Sequence, residues 1–215
     1  METQLRAEWF FDFISPYAYL QFKQLDRLPP DLEIVFKPVL FAGLLQHWGQ
    51  LGPAEIPGKK RHTFLLCHWR ARNLGIPFKP PPRHPFNPLL PLRLAIALGS
   101  SREVVATIFD HFWVEGRDGQ HPASLAALAE KLGVTDLQAA TGEPEVKERL
   151  KRNTEEAAAE GIFGVPSFLI DGQVFWGDDC FGLFLEWLAD PTLLDNPELQ
   201  RILSLQPAAE RTRKA

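Results

Sequence analysis

The chain has 215 residues, 45% of them hydrophobic, and a formal net charge of −4. A chain of that length buries a sizeable core, as one domain or as a domain with an inserted lobe, and its charge balance argues against nucleic acid, whose phosphates call for clustered Lys and Arg. No stretch is apolar for long enough to span a bilayer, and the apolar run behind the first residues is too short for a signal-peptide core.

Residues 7–13 (AEWFFDF) form an aromatic-rich apolar run that predicts a buried strand. Ser15-Pro16 follows as a helix start, serine as N-cap and proline at the first helical position. Apolar spacing near 3.6 carries that helix through Tyr19, Phe22 and Leu25, and Pro29-Pro30 ends it. Leu32 to Phe36 reads as a second strand, closed by Pro38, which completes a βαβ unit.

From residue 41 to 160 helical patterns dominate, with candidate helices at 59–73, 88–99, 101–115, 121–132 and 144–160. Residues 77–91 hold seven prolines in fifteen positions and favour a stiff, extended path. That segment reads as a rigid connector, with a lid over a cleft as the other reading. Strand character returns at Ser167–Ile170 and Val174–Trp176 around an Asp171-Gly172 turn, which is a hairpin signal, and a helix is predicted from about Asp178 to Leu188. After Pro197 comes a short helix-like piece, then a charged end, Glu210 to Ala215, expected to fray.

The order is therefore βαβ, a block of helices, then ββα. It predicts an α/β, thioredoxin-like domain built from 1–40 and 161–190, an all-helical insertion at 41–160, and a C-terminal tail at 191–215. The two cysteines, Cys67 and Cys180, lie far apart with no C-x-x-C pair, so free thiols in a reducing cytoplasm are expected.

Two local motifs sharpen this reading. One is Phe11-Asp12-Phe13-Ile14-Ser15-Pro16-Tyr17 at the strand–helix junction; the other is Gly164-Val165-Pro166 followed by Trp176-Gly177-Asp178-Asp179. Together they resemble the 2-hydroxychromene-2-carboxylate isomerase family and its relatives, the kappa-class glutathione transferases, both with DsbA-like thioredoxin folds. The resemblance implies glutathione as the cosubstrate and an unsaturated aromatic acid as the small-molecule substrate. Reversible thiolate addition, bond rotation and elimination would then isomerise that substrate. A kappa-like transferase and a non-catalytic binding protein stay open as alternatives, as does a homodimer.

Physical arguments attach to each residue. In thioredoxin-like redox proteins this turn carries C-x-x-C; here Ser15-Pro16-Tyr17-Ala18 has neither cysteine, which removes dithiol chemistry. Ser15 is either an N-cap alone or also the donor that steadies a glutathione thiolate, since one hydroxyl can accept and donate at once. Pro166 resembles the fold's cis-proline, which would offer the Val165 backbone to an extended peptide. Asp178 and Asp179 fall where the relatives hold the γ-glutamyl end, Asp179 being the better partner for its ammonium; both are also ordinary residues for a first helical turn. The relatives' neutral residue and arginine on either side of that aspartate are Asp178 and Cys180 here. Gln50 falls where the relatives place an asparagine that contacts glutathione. Lys59, Lys60 and Arg61 read as a solvated charge run that could meet the glycyl carboxylate. Trp69 reads as packing, and Asn87 and Arg93 as a cap and an ion pair or as cleft residues. Phe41, Trp48, Phe64 and Phe86 read as core or as aromatic walls for the substrate. No phosphate-binding or zinc-ligand spacing is present.

Overall fold

A computed structural model describes residues 5–209; the charged end from Glu210, expected to fray, lies outside the described residues. Strand β1 (Arg6–Phe11) runs into helix α1 (Pro16–Phe22), and β2 (Glu33–Pro38) returns parallel to β1. Six helices fill the middle of the chain: α2 (Phe41–His47), α3 (Pro57–Leu74), α4 (Leu89–Ala97), α5 (Arg102–Trp113), α6 (Pro122–Lys131) and α7 (Leu137–Gly142). Helix α8 (Pro144–Ala159) leads back to the hairpin of β3 (Ser167–Ile170) and β4 (Gln173–Trp176); α9 (Phe181–Ala189) and α10 (Pro197–Leu203) follow. The sheet order is β2-β1-β3-β4, with β3 antiparallel to both of its neighbours. This is the βαβ…ββα order of a thioredoxin-like α/β fold, with the helices inserted between its halves.

Strand β1 explains its own apolar run. Trp9 and Phe11 pack into the larger core with Phe13, Phe109 and Phe168, whereas Phe10 joins Val39, Leu44, Ala157, Ile162 and Val165 in a second core. Both faces of the strand are covered, so a continuous apolar run replaces the alternation of a half-exposed strand. Trp9 stacks on Phe11 with ring centroids 4.6 Å apart, and Phe13 meets Phe109 edge-on at 4.8 Å. The hairpin turn places Asp171 at φ 47° and Gly172 at φ 74°, the left-handed pair that a D-G turn supplies.

Four elements depart from the sequence expectation, one of them α7, which lies between the predicted helices 121–132 and 144–160 and is started by its own N-cap, Asp136, accepting from Ala139 N–H. Helix α1 stops at Phe22 and gives way to a 3₁₀ turn at Leu25–Arg27. Helix α2 was not foreseen as an element, because its start is satisfied from far away in the sequence: Phe41 N–H donates to Asp12 Oδ2 (2.9 Å) and Leu40 N–H to Thr154 Oγ1 (3.0 Å). Helix α9 starts at Phe181 after Cys180, later than Asp178, and no side chain caps it.

The proline-rich connector is strapped to the core. Tyr19 Oη–H donates to the Pro77 carbonyl, Lys79 N–H donates to the Trp113 carbonyl (2.7 Å), and the His84 ring bonds the Ile14 carbonyl at 2.9 Å. None of its residues lines the cleft described next, so it is a connector and not a lid.

Candidate functional site

Three turns converge at one end of the sheet: Asp12–Ser15 after β1, Gly164–Pro166 before β3, and Trp176–Asp179 after β4. Ser15 caps α1, its Oγ accepting from Ala18 N–H (3.2 Å), while its proton reaches the Val165 carbonyl over 3.4 Å. The N-cap role and the second contact coexist, as one hydroxyl permits. The Val165–Pro166 peptide bond is cis, and the Pro166 carbonyl accepts from Gly177 N–H at 2.8 Å. That bond ties the second turn to the third. Gly177 stands at φ 93°, and a Cβ there would run into the Asp179 carboxylate, so the turn needs glycine.

Buried amides of α1 and of the turn that follows it hold the third turn from below. Gln21 accepts from Trp9 Nε1–H (2.6 Å) and donates to the Gly177 carbonyl (2.9 Å); Gln24 donates to Asp178 Oδ1 (2.9 Å). The side chain of Asp178 is 0% exposed, and Arg70 Nη2 of α3 lies 2.6 Å from its Oδ2. That oxygen has no partner with hydrogen-bond geometry, so the contact is an ion pair. Burial pushes the Asp178 carboxyl up, Arg70 pulls it back, and Asp179 adds to the rise. Asp178 is therefore neither a helix cap nor an exposed ligand group: it is the buried anion that docks α3 onto the turn.

Between these turns and α3 lies a cleft of about 490 Å³, whose walls include Tyr17, Lys59, His62, Arg70, Val165, Trp176 and Asp179. Val165 N–H makes no hydrogen bond among the described residues. Asp179 is exposed and has no ion-pair partner among them, and Arg70 Nε is buried without a hydrogen bond. Burial, with the Cys67 thiol beside it, raises the Tyr17 phenol to about 12, so Tyr17 stays a proton donor at neutral pH. Cys67 is itself raised to about 12, chiefly by burial, and both cysteines are free.

The predicted site residues separate into groups. Val165, Asp178 and Asp179 line the cleft. Ser15, 7% exposed, and Pro166 stand behind its wall, joined to it through Val165 and Gly177. Gln50 is not brought to the cleft: it is exposed, with its N–H on the Leu45 carbonyl (2.8 Å) in the turn that ends α2. Lys59 borders the cleft, while Lys60 is spent on the His84 carbonyl (2.5 Å). Asn87 Oδ1 accepts from Leu89 N–H as a cap. Arg93 has no ion pair among the described residues and stands away from the cleft. Trp69 is 50% exposed and not a packing residue, and Phe86 is core. Sequence reasoning missed Tyr17, His62 and Arg70 as cleft residues. Tyr17 had a signal, being next to the Ser15-Pro16 motif; Arg70 and His62 reach the cleft only because α3 docks there.

A second cleft, of about 810 Å³, lies between α4, α6 and α7, walled largely by residues such as Leu90, Leu125, Ala129 and Val134. It is larger, and Gln120, Glu130, Thr135, Asp136 and Gln138 also border it, but none of the three converging turns does. Among the described residues no cluster suited to a metal ion is present, and no helix is long and apolar enough to cross a membrane.

Residues 7–189 match the DSBA-like thioredoxin domain family. The chain is 29% identical over 213 residues to "Glutathione s-transferase kappa 2" of Caenorhabditis elegans, covering 89% of this chain and 95% of the relative. It is 26% identical over 181 residues to "2-hydroxychromene-2-carboxylate isomerase" of Pseudomonas putida, covering 80% and 89%. Among solved structures, a 2-hydroxychromene-2-carboxylate isomerase superposes with a TM-score of 0.73 at 24% identity, over 91% of this chain and 99% of the other. At that identity the superposition speaks for the fold.

Proposed function

The chain belongs to the DSBA-like thioredoxin domain family, and from that premise we propose that it is a glutathione-dependent isomerase of an unsaturated aromatic acid of the 2-hydroxychromene-2-carboxylate type. One observation carries the reading: Tyr17, Val165 and Asp179 share one cleft, and Ser15 is hydrogen-bonded to the Val165 carbonyl at its wall.

The donor set fits glutathione, a peptide with one ammonium, two carboxylates and a thiol. Asp179 would hold the ammonium as a charge-assisted pair. Lys59 and His62 on the cleft wall would meet carboxylates. Val165 N–H would pair with the cysteinyl backbone as in strand addition. Bound glutathione supplies a thiol whose ionised form adds reversibly to a conjugated carbon and leaves again once the new single bond has rotated.

The chain's own part is to keep that thiol ionised and in place. Helix α1 has only 7 residues, so its dipole alone is a weak source of stabilisation and hydroxyl donors matter more. Ser15 holds its proton on Val165 across 3.4 Å, a long bond that exchanges readily for a nearby anion, and the Tyr17 phenol adds a second donor. A reducing compartment, the cytoplasm, belongs to the same proposal and is supported by the free cysteines.

Calorimetric titration with glutathione, followed by an absorbance assay on 2-hydroxychromene-2-carboxylate, tests the reading. Saturable binding and glutathione-dependent turnover are expected. No binding at millimolar glutathione overturns the whole reading. Binding with conjugation of aryl halides but no isomerisation moves the protein to the transferases, a reading favoured by the 29% identity to a kappa enzyme.

A further inference from the structure

The turn that presents Ser15 is held by side chains brought from far along the chain. Ile14 N–H donates to Asp12 Oδ1 (3.0 Å), and the Ile14 carbonyl bonds His84 Nε2 (2.9 Å). The neighbouring Phe13 carbonyl accepts from Trp113 Nε1–H (2.9 Å), and Ser15 N–H donates to the Asp12 backbone carbonyl (3.1 Å). Every peptide group just ahead of Ser15 is thus fixed, and His84 is the contribution of the proline-rich connector.

We propose that His84 is a positioning residue for Ser15, clamping the Ile14 carbonyl so that the Ser15 hydroxyl is held where a glutathione thiolate meets it. The inference rests on the glutathione reading above for its chemistry but on the hydrogen bonds alone for its geometry. A carbonyl accepts only from a protonated ring nitrogen, so Nε2 carries the hydrogen and a neutral ring has its lone pair on Nδ1. Nδ1 is buried and has no hydrogen-bond partner, which leaves an imidazolium with a buried, unsatisfied N–H. Burial lowers the His84 pKa, with nearby Lys60 acting in the same direction and the Ile14 carbonyl opposing both. The ring is braced by its surroundings: Phe64 meets it edge-on at 5.0 Å, Phe86 and Trp113 lie at 6.3 and 5.9 Å, and Lys60 Nζ holds its carbonyl at 2.5 Å. So braced, the imidazole acts as a fixed donor and not as a swinging acid or base.

Two substitutions separate the donor from the ring. His84→Phe keeps an aromatic ring among Phe64, Phe86 and Trp113 but removes the donor. His84→Gln restores an N–H close to the position of Nε2. Amide hydrogen exchange without glutathione reads the geometry: Ala18 N–H, which reports on Ser15 Oγ, should exchange at least about tenfold faster in His84→Phe. In His84→Gln it should return to within about twofold of the parent, and Phe168 N–H in β3 should not change. Ultraviolet titration of bound glutathione reads the chemistry: the thiol pKa should rise by about one pH unit in His84→Phe and recover in His84→Gln. The glutathione Kd should weaken by no more than about tenfold, the limit that linkage sets for a one-unit shift of the bound thiol, because the far end of the peptide is held by Asp179. Parent-like Ala18 exchange in His84→Phe overturns the proposal, and so does a His84→Gln variant as impaired as His84→Phe. If His84→Phe does not fold, His84→Leu carries the same expectations. If the parent binds no glutathione, the functional reading fails, and the exchange measurement still decides the positioning role.

Discussion

Asp12 is 0% exposed, yet its carboxylate takes Ile14 N–H on one oxygen and Phe41 N–H on the other. Those two donors favour the ionised form, but burial outweighs them and lifts the carboxyl from 3.8 to about 7. The folded protein therefore binds a proton that the unfolded chain releases, and stability falls as pH rises through that window. At 1.36 kcal/mol per pH unit the full cost on the alkaline side is roughly 4 kcal/mol, a large share of the 5–15 kcal/mol typical of a domain. Asp12→Asn removes the titration. It also sets an amide N–H₂ against a backbone donor, a fixed loss of about 1–3 kcal/mol that does not depend on pH. Urea denaturation of parent and variant at about pH 5 and about pH 8 separates these effects, since other titrating groups cancel in the difference. The variant should gain about 2.5 kcal/mol on the parent between the two conditions. Parallel pH profiles would refute the reasoning, and Asp12 would then be an ordinary ionised cap of α2.

Other outcomes follow from the same geometry. Ser15→Ala should raise the thiol pKa of bound glutathione by about one to two pH units, the loss of one charge-assisted hydrogen bond, read by ultraviolet titration. It should also cost about 1 kcal/mol of stability through the lost N-cap on Ala18. Asp179→Asn should weaken glutathione binding roughly 10- to 150-fold by calorimetry at fixed salt; equal affinities would remove Asp179 from the site. Arg70→Met strands the buried Asp178 and should cost about 2–3 kcal/mol in urea denaturation. This is below the value for a fully buried pair, because Arg70 keeps 25% of its side chain exposed. Intact mass should not change on reduction, since Cys67 and Cys180 are both free.

The parts of this fold that were legible in the sequence are those whose causes are local. Ser15-Pro16 starts α1 through its own side chain and ring, and Asp171-Gly172 turns the hairpin through its own left-handed backbone. Helices α3 to α6 and α8 are announced by spacing, with prolines at or near the starts of α3, α4, α6 and α8 and a serine N-cap, Ser101, at α5. Helix α2 was illegible because Asp12 and Thr154, distant in sequence, satisfy its first N–H groups. The start of α9 was misplaced for a related reason. Asp178 looks like a residue of the first turn, but its carboxylate is drawn inward by Arg70 and Gln24.

That inward turn also bears on the charge question which the sequence raises at Asp178-Asp179-Cys180. Against the pattern that the family resemblance implies, the turn has an anion at Asp178 in place of a neutral residue and a cysteine at Cys180 in place of an arginine, a change of two charges. In the folded chain Arg70 of α3 pairs with the added anion and so offsets one of those two charges. Asp178 is then occupied, and Asp179 is the carboxylate left to face a ligand ammonium. The added anion is thus neutralised across the cleft, while the cation missing at Cys180 is not replaced. For that reason Arg70 and Asp178 are to be substituted together as well as singly. If the two are coupled, Arg70→Met with Asp178→Leu should recover most of the stability lost in Arg70→Met alone, as replacing a buried ion pair by apolar groups often does. A double variant no more stable than Arg70→Met would show that the pair is not the unit that docks α3.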